Sequence, residues 1–347
     1  MITPTVDIIV PVWNQPFETR ACLLSILNTT DTARLVIVNN GCDRDTELLL
    51  EEFCDPLGNR VLYLTMERNI GFVPALNRSL IRSDADWAML VRPNGMVTDG
   101  WLNSLLNVAG NERAGIITPR CSSETLLPKG ASVASCSRLE TCQISFAGLM
   151  LSRAMRDEIG TFDEELDGAR WCLQDYQQRA AAHNYRTYFA PGALLQSGQA
   201  LVFGSEERRA ERERYSRETF RARWGNPRHH AVYFPKTTET EHLSSALTTI
   251  LPAARRGDSF TLFLHHRQYR QSAEQGWRCL HTSIELADLS RLTPERDLHK
   301  RLQKLKALIP ELQIVKGVDG IPVPGYDGAL PFSAVEQRVT EAAPCMI

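Results

Sequence analysis

The sequence predicts an α/β protein: a Rossmann-like domain with a mostly parallel sheet, followed by a second, smaller α/β domain. Three observations predict it. Short runs rich in β-branched residues alternate with helical segments between Val6 and Leu106, the pattern of a parallel sheet covered on both faces. The strands end in polar turns rich in Asn and Gly, where an open α/β sheet holds its ligands. The alternation restarts after Gly225-Asn-Pro-Arg-His-His230, which reads as a linker in a chain of 347 residues, long for one core. The expected domains are residues 1–228 and 229–347.

Val6-Asp-Ile-Ile-Val-Pro-Val12 has the composition of a buried parallel strand. Trp13-Asn14-Gln15-Pro16 turns the chain, with Asn14 placed to cap a helix that Pro16 opens and Ala21, Leu24, Ile26 and Leu27 make apolar on one side. Arg34–Val38 is a second strand ending in Asn39-Asn40-Gly41-Cys42-Asp43, and Arg60–Leu64 a third. Gly71 gives conformational freedom before a helix through Leu80 and Ile81. Trp87–Val91 is a strand stopped by Arg92-Pro93-Asn94-Gly95, which puts Arg92 and Asn94 at the mouth of a crevice.

Ala114–Thr118 and Ile144–Leu151 continue the sheet, and residues 120–141 read as an irregular loop beside the site. Arg153–Ile159 is a short helix, Asp175 lies on a further helix, and Tyr185–Phe189 is the last strand of the domain. Glu206–Trp224 interleaves acids and bases densely, as a solvated, ion-paired helix does. In the second domain, strands are expected at Ala231–Phe234, Ser259–Leu264 and Leu312–Val315, with helices at Glu241–Ala253 and Leu298–Leu308. His265 and His266, read as strand neighbours, would point to opposite faces and not share one metal.

Composition narrows the function. A net charge of −2 gives no overall basic field for nucleic acid. No apolar run approaches the roughly 18 residues of a membrane span. Nine scattered cysteines without a CxxC pair argue against a disulfide framework or a zinc site, and point to a reducing cytoplasm. No secretory leader is visible at Met1-Ile-Thr-Pro4.

Several stretches, in order, resemble the inverting glycosyltransferases of family 2, which have the GT-A fold. Val10-Pro11-Val12-Trp13-Asn14 looks like that family's opening strand and PVYN turn, and Ile37-Val-Asn39-Asn40-Gly41-Cys42 is similar to its VDNGS turn. Asn69-Ile-Gly71-Phe72-Val-Pro-Ala75-Leu-Asn77 matches its NxGFxxAxN segment, Gly160-Thr-Phe162-Asp163-Glu164 its GGFDE, and Gln174-Asp175 its ED motif. Leu90-Val-Arg92-Pro93-Asn94 falls where many members carry LLNPD. The resemblance implies a nucleotide-sugar donor (a UDP-, GDP- or dTDP-sugar) and a glycan, lipid-linked or protein acceptor, as in bacterial polysaccharide biosynthesis. It places Pro11, Trp13, Asn14, Asn39, Asn69, Gly71 and Asn77 at or near the nucleotide, Arg92 and Asn94 at the diphosphate, and Asp175 as the general base. It leaves room for a homo-oligomer.

The departures from the family pattern concern charge. Asn94 stands where the family's metal-binding Asp would be, no His occurs in Leu194-Leu195-Gln196-Ser197-Gly198, and Gln174 precedes the base. The acidic ligands expected for Mg or Mn are missing, so no residue is assigned to a metal. Two readings follow: a transferase in which Arg92 does the work of the cation, or a non-catalytic nucleotide-sugar-binding scaffold. Asn94 is a natural turn former, Trp13 can wall a core, and Asp175 can be a helix-surface acid.

Overall fold

The computed structural model describes residues 4–121, 126–128, 131–133, 136, 139–166, 170–198 and 205–341. The chain forms two compact units: residues 1–126 with 143–225, and residues 127–142 with 226–347. The segment 127–142, read from sequence as a loop beside the site, belongs to the second unit.

In the first unit, β1 (Val6–Val12), β2 (Arg34–Asn40), β3 (Val61–Met66) and β4 (Trp87–Val91) run parallel. Beyond β4 lie β5 (Gly95–Val97), β6 (Ala114–Cys121), β8 (Gly148–Ser152) and β9 (Arg186–Ser197), in the order β3-β2-β1-β4-β8-β6-β9-β5. The strand β8 is antiparallel to both β4 and β6, so β6 and β9 point the same way as β1–β4. One edge of the sheet therefore collects the carboxyl ends of six strands.

Alternation along the strands feeds two cores. Ile8, Val10, Met89 and Val91 face α1 (Pro16–Thr29), α2 (Arg44–Cys54) and α4 (Trp101–Ala109). Ile9, Val36, Ala88 and Leu90 face α3 (Phe72–Arg82), α5 (Arg153–Ile159) and α6 (Arg170–Ala182). Burial on both faces explains why these strands read as nearly continuous apolar runs. The helix α7 (Glu206–Trp224) closes the unit and buries Ser216 and Phe220.

Three local expectations change. Asn14 is not the cap of α1; Gln15 occupies that position, and both residues are left-handed, at φ 56° and 61°. That turn sets the rotation of α1, whose buried side is Thr19, Cys22, Leu23 and Ile26, leaving Leu24 43% exposed. The strand after Ile144 begins only at Gly148, because Ser145 folds back to accept hydrogen bonds from Ala147 N and Gly148 N. The last strand runs on through Pro191: the register with β6 jumps from Ala190 to Leu194, so the proline falls in a bulge that needs no amide hydrogen.

The second unit has a parallel sheet in the order β12-β11-β10-β13, from β10 (His229–Tyr233), β11 (Ser259–Leu264), β12 (Ile284–Asp288) and β13 (Gln313–Lys316). Helices α8 (Thr240–Arg255) and α11 (Phe332–Glu341) pack on one face and α10 (Pro294–Leu308) on the other, while α9 (His266–Glu274) follows β11. The strand β7 (Leu139–Glu140) is tied in by Glu140 N to Leu280 O at 3.0 Å and Thr282 N to Glu140 O at 2.8 Å. Arg255 donates two hydrogen bonds to the Glu140 carboxylate, at 2.6 and 2.9 Å. A disulfide joins Cys136 to Cys279, against the expectation of unpaired thiols. Sequence spacing concealed it, because 143 residues separate the partners.

Candidate functional site

The carboxyl edge of the first sheet is braced by side-chain amides. Asn14, just past β1, accepts from Asp43 N at 2.8 Å and so fixes the first turn to the second. Asn39, at the end of β2, accepts from Cys42 N at 2.9 Å and donates to the Tyr63 hydroxyl at 3.1 Å. Asn40 reaches the third turn: it donates to Asn69 Oδ1 and Gly71 O and accepts from Ile70 N. Asn69 also accepts from Gly71 N at 2.8 Å. Sequence reasoning assigned Asn39 and Asn69 to the nucleotide but left out Asn40, which joins their turns.

Gly41 is the residue that lets these turns meet. Its φ is +68°, and a Cβ there would lie 2.3 Å from the Arg68 carbonyl carbon. Gly71, at φ 96°, starts α3 and accepts from Ala75 N. Pro11 is a buried link of β1 paired opposite Val38, so it shapes the strand rather than facing the edge. Trp13 follows it, half-buried.

Further along the same edge come two guanidinium groups. Arg92 is the first residue beyond β4 and half-buried; its backbone carbonyl accepts from Cys22 Sγ and Gly95 N, and its guanidinium makes no hydrogen bond or ion pair among the described residues. Burial works against its charged form and lowers its pKa. Arg120, in the last turn of β6, has a buried Nε with no hydrogen-bond partner among the described residues. Val91 pairs with Gly148, and a Cβ on Gly148 would lie 2.7 Å from Pro119. Arg92, just past β4, and Arg120, still in β6 and paired with Leu194, thus each stand one residue beyond the same level, with one strand between them, a backbone separation of about 10 Å. Arg120 was missed in the sequence; its only signal is its place after a strand. Asn94 lies in the turn after Arg92 and accepts from Gly198 N at 3.1 Å through its backbone carbonyl.

Asn77 and Asp175 are tied to a different turn from the ones braced above. They flank the turn Gly160–Glu164. Asn77 is buried in α3, accepts from Phe162 N at 3.0 Å, and donates to Phe162 O and the Glu164 carboxylate, both at 2.9 Å. Asp175 is 0% exposed on α6. Its Oδ2 accepts from Arg179 Nε at 2.9 Å, and its Oδ1 from Trp224 Nε1 at 2.9 Å and Arg223 at 3.2 Å. Arg179 also donates to the carbonyls of Ile159 and Thr161, and Arg223 to Asp163 at 2.6 Å. For Asp163, burial opposes ionisation, but hydrogen bonds from Arg223 and Glu165 N outweigh it and hold its pKa below the ordinary value.

Asn94, at the position that the family pattern gives to an acid, offers a divalent ion a neutral amide oxygen. Among the described residues no three His, Cys, Asp or Glu side chains stand together as a metal site.

A six-strand carboxyl edge with braced turns is where open α/β sheets hold their ligands. Residues 7–133 match the family model Glycosyl transferase family 2, so this part of the chain is similar to the family 2 glycosyltransferases. The mannosyltransferase PcManGT from Pyrobaculum calidifontis, solved with GDP-Man and Mn2+, aligns over 99% of this chain and 86% of its own, with a TM-score of 0.52 and 13% identity. GalNAc-T7, solved with UDP, GalNAc and Mn2+, aligns over 90% of this chain and 59% of its own, at 0.55 and 11%. S. aureus TarS aligns over 64% of this chain and 40% of its own, at 0.50 and 14%. These likenesses concern the fold, which is GT-A-like with a second, smaller α/β unit. No curated protein sequence matches the chain. Among the described residues no helix is long and apolar enough to cross a membrane.

Proposed function

We propose that the chain transfers a sugar, with inversion, from a nucleotide-sugar donor to a hydroxyl of a glycan, lipid-linked or protein acceptor. The observation that carries this reading is the family 2 match over residues 7–133, which covers β1–β4 and the braced turns at their carboxyl ends. Trp13, Asn14, Asn39 and Asn69 surround the nucleoside in this reading. Arg92, helped by Arg120, holds the diphosphate by charge-assisted hydrogen bonds. PcManGT and GalNAc-T7 were solved with Mn2+; here the guanidinium groups replace a divalent ion at the leaving group.

Asp175 is the base of this proposal. The acceptor oxygen bonds to the anomeric carbon as the bond from that carbon to the diphosphate oxygen breaks. The electron pair leaves with the nucleoside diphosphate, and the hydroxyl proton passes to Asp175. To do this the acceptor hydroxyl must displace Arg223 or Trp224 from the carboxylate. The need for that displacement favours a second reading, a domain that binds the donor without turning it over.

A part in bacterial polysaccharide assembly completes the proposal; the cytoplasmic placement expected from the sequence is not carried into it. The Cys136–Cys279 bridge weighs against the cytoplasm, because such bridges persist in oxidising compartments. The test is release of nucleoside diphosphate from UDP-, GDP- and dTDP-sugars. Turnover that falls about 100-fold or more in Asp175→Asn, with nucleotide affinity kept, is the expected result. Binding without turnover for every donor selects the second reading, and no binding at all removes both.

A further inference from the structure

The second unit carries a cavity that the transferase reading does not use. It has a volume of about 880 Å³ and is walled by the segments that follow β10, β11 and β12. These are the carboxyl ends of three parallel strands, where open α/β sheets bind ligands. The volume is that of a small-molecule site.

Its charge is uneven. Lys236, Arg267, Arg270 and Arg291 line it, against two carboxylates, Glu239 and Glu241. Arg270 has its own partner, Glu274, at 3.9 Å. Lys236 and Arg267 make no ion pair among the described residues. Arg291 is positioned by a relay: the Asp288 carboxylate holds His266 Nδ1 at 2.9 Å, and His266 Nε2 accepts from Arg291.

The walls are tied together without a ligand. Gln268 is buried, donates to Pro235 O at 2.8 Å and Thr238 O at 3.1 Å, and accepts from His265 N at 3.0 Å. One side chain thus clamps the segment after β10 to the segment after β11. The residues that line the cavity include no Phe, Tyr or Trp; its rings are the imidazoles of His265 and His266, and His266 is engaged by Asp288 and Arg291. What they offer besides charge is hydroxyl and amide groups, at Thr238, Thr240 and Gln271, suited to sugar hydroxyls.

We infer that this cavity binds a phosphate-bearing sugar, with Lys236, Arg267 and Arg291 on the phosphate and the Thr and Gln side chains on the sugar. The inference stands apart from the transferase reading, since it uses only residues of the second unit.

The test is calorimetric titration of the full chain with glucose 6-phosphate, glucose and inorganic phosphate, compared with a Lys236→Ala/Arg267→Ala double variant. Both replaced residues are exposed, so the variant keeps its fold, checked by its melting curve. The expected result is glucose 6-phosphate binding that weakens with salt and falls at least about ten-fold in the double variant. Glucose should not bind measurably, and phosphate should bind more weakly than the sugar phosphate. Absence of glucose 6-phosphate binding, or binding that the double variant leaves intact, overturns the assignment. Equal binding of inorganic phosphate overturns its sugar half. An Arg92→Ala variant should bind glucose 6-phosphate as the parent does, whatever becomes of its nucleotide affinity.

Discussion

The two units present the same edge, the carboxyl ends of parallel strands, and build it by opposite means. In the first, polar side chains spend their hydrogen bonds on one another: Asn14 on Asp43, Asn39 on Cys42 and Tyr63, Asn40 on Asn69, Ile70 and Gly71. The turns are rigid, and the groups left to a ligand are the cations Arg92 and Arg120. In the second, the charged side chains stand around a cavity, and Gln268 does most of the bracing. A braced edge fixes the position of a ligand before it arrives, at little entropic cost on binding. A cavity ringed by exposed long side chains must order them, so it should bind more weakly and depend more on salt.

The largest expected effect lies in the second unit, whose segment 127–142 is held by the Cys136–Cys279 bridge. Opening a loop of that length should cost roughly 4–5 kcal/mol on chain-entropy grounds. Cys136→Ser should therefore shift the denaturation midpoint of the second unit strongly, and dithiothreitol should do the same to the parent. Equal melting with and without reductant would show that the segment is held by Glu140 and Arg255 instead.

A smaller effect is expected in the first unit at Asn77. Asn77→Ala leaves the amide and carbonyl of Phe162 without their partner in a buried position, at a cost of about 1–3 kcal/mol. It should also loosen the turn that carries Asp163 and Glu164. Denaturant melts would check the first point, and amide exchange at Phe162 the second.

The most gradual effect is a pH dependence confined to the second unit. His281 is 1% exposed, accepts from Ser283 N through Nδ1, and has its pKa pushed down to about 3 by burial, with Arg255 adding to the shift. The unfolded chain binds this proton near pH 6.5 and the folded chain does not. His281 therefore costs nothing above about pH 6.5, and below it stability falls by roughly 1.4 kcal/mol per pH unit until about pH 3. His281→Gln should flatten that slope, as followed by melts between pH 7 and pH 4.

Much of the first unit was legible in the sequence. The bounds of β1, β4 and α7 coincide with the runs read from residue type, because buried parallel strands are apolar throughout and α7 is capped by Ser205. The turns were legible because Gly and Asn mark them. The second unit was harder. The helix α9 has the sequence HRQYRQSAE, and its buried residues are Gln268 and Ser272, so no apolar stripe announces it. Accordingly His265 and His266 are not strand neighbours: both stand at the start of that helix. The strand β12 is five residues long and was not seen. At the site, the motif that contains Asp175 was visible, but its neighbours Arg223 and Trp224 come almost fifty positions later, a distance no local pattern spans. Arg120 was missed because a lone Arg after a strand has no signature.

In the proposed mechanism Arg92 takes the place of a metal at the diphosphate. Calorimetric titration of UDP and GDP, each with Mn2+ and with a chelator, into the parent chain and Arg92→Ala tests this. One nucleotide should bind with the same affinity under both conditions, with a loss of about ten-fold or more in Arg92→Ala. Binding that appears only with Mn2+, or that survives Arg92→Ala unchanged, would contradict it.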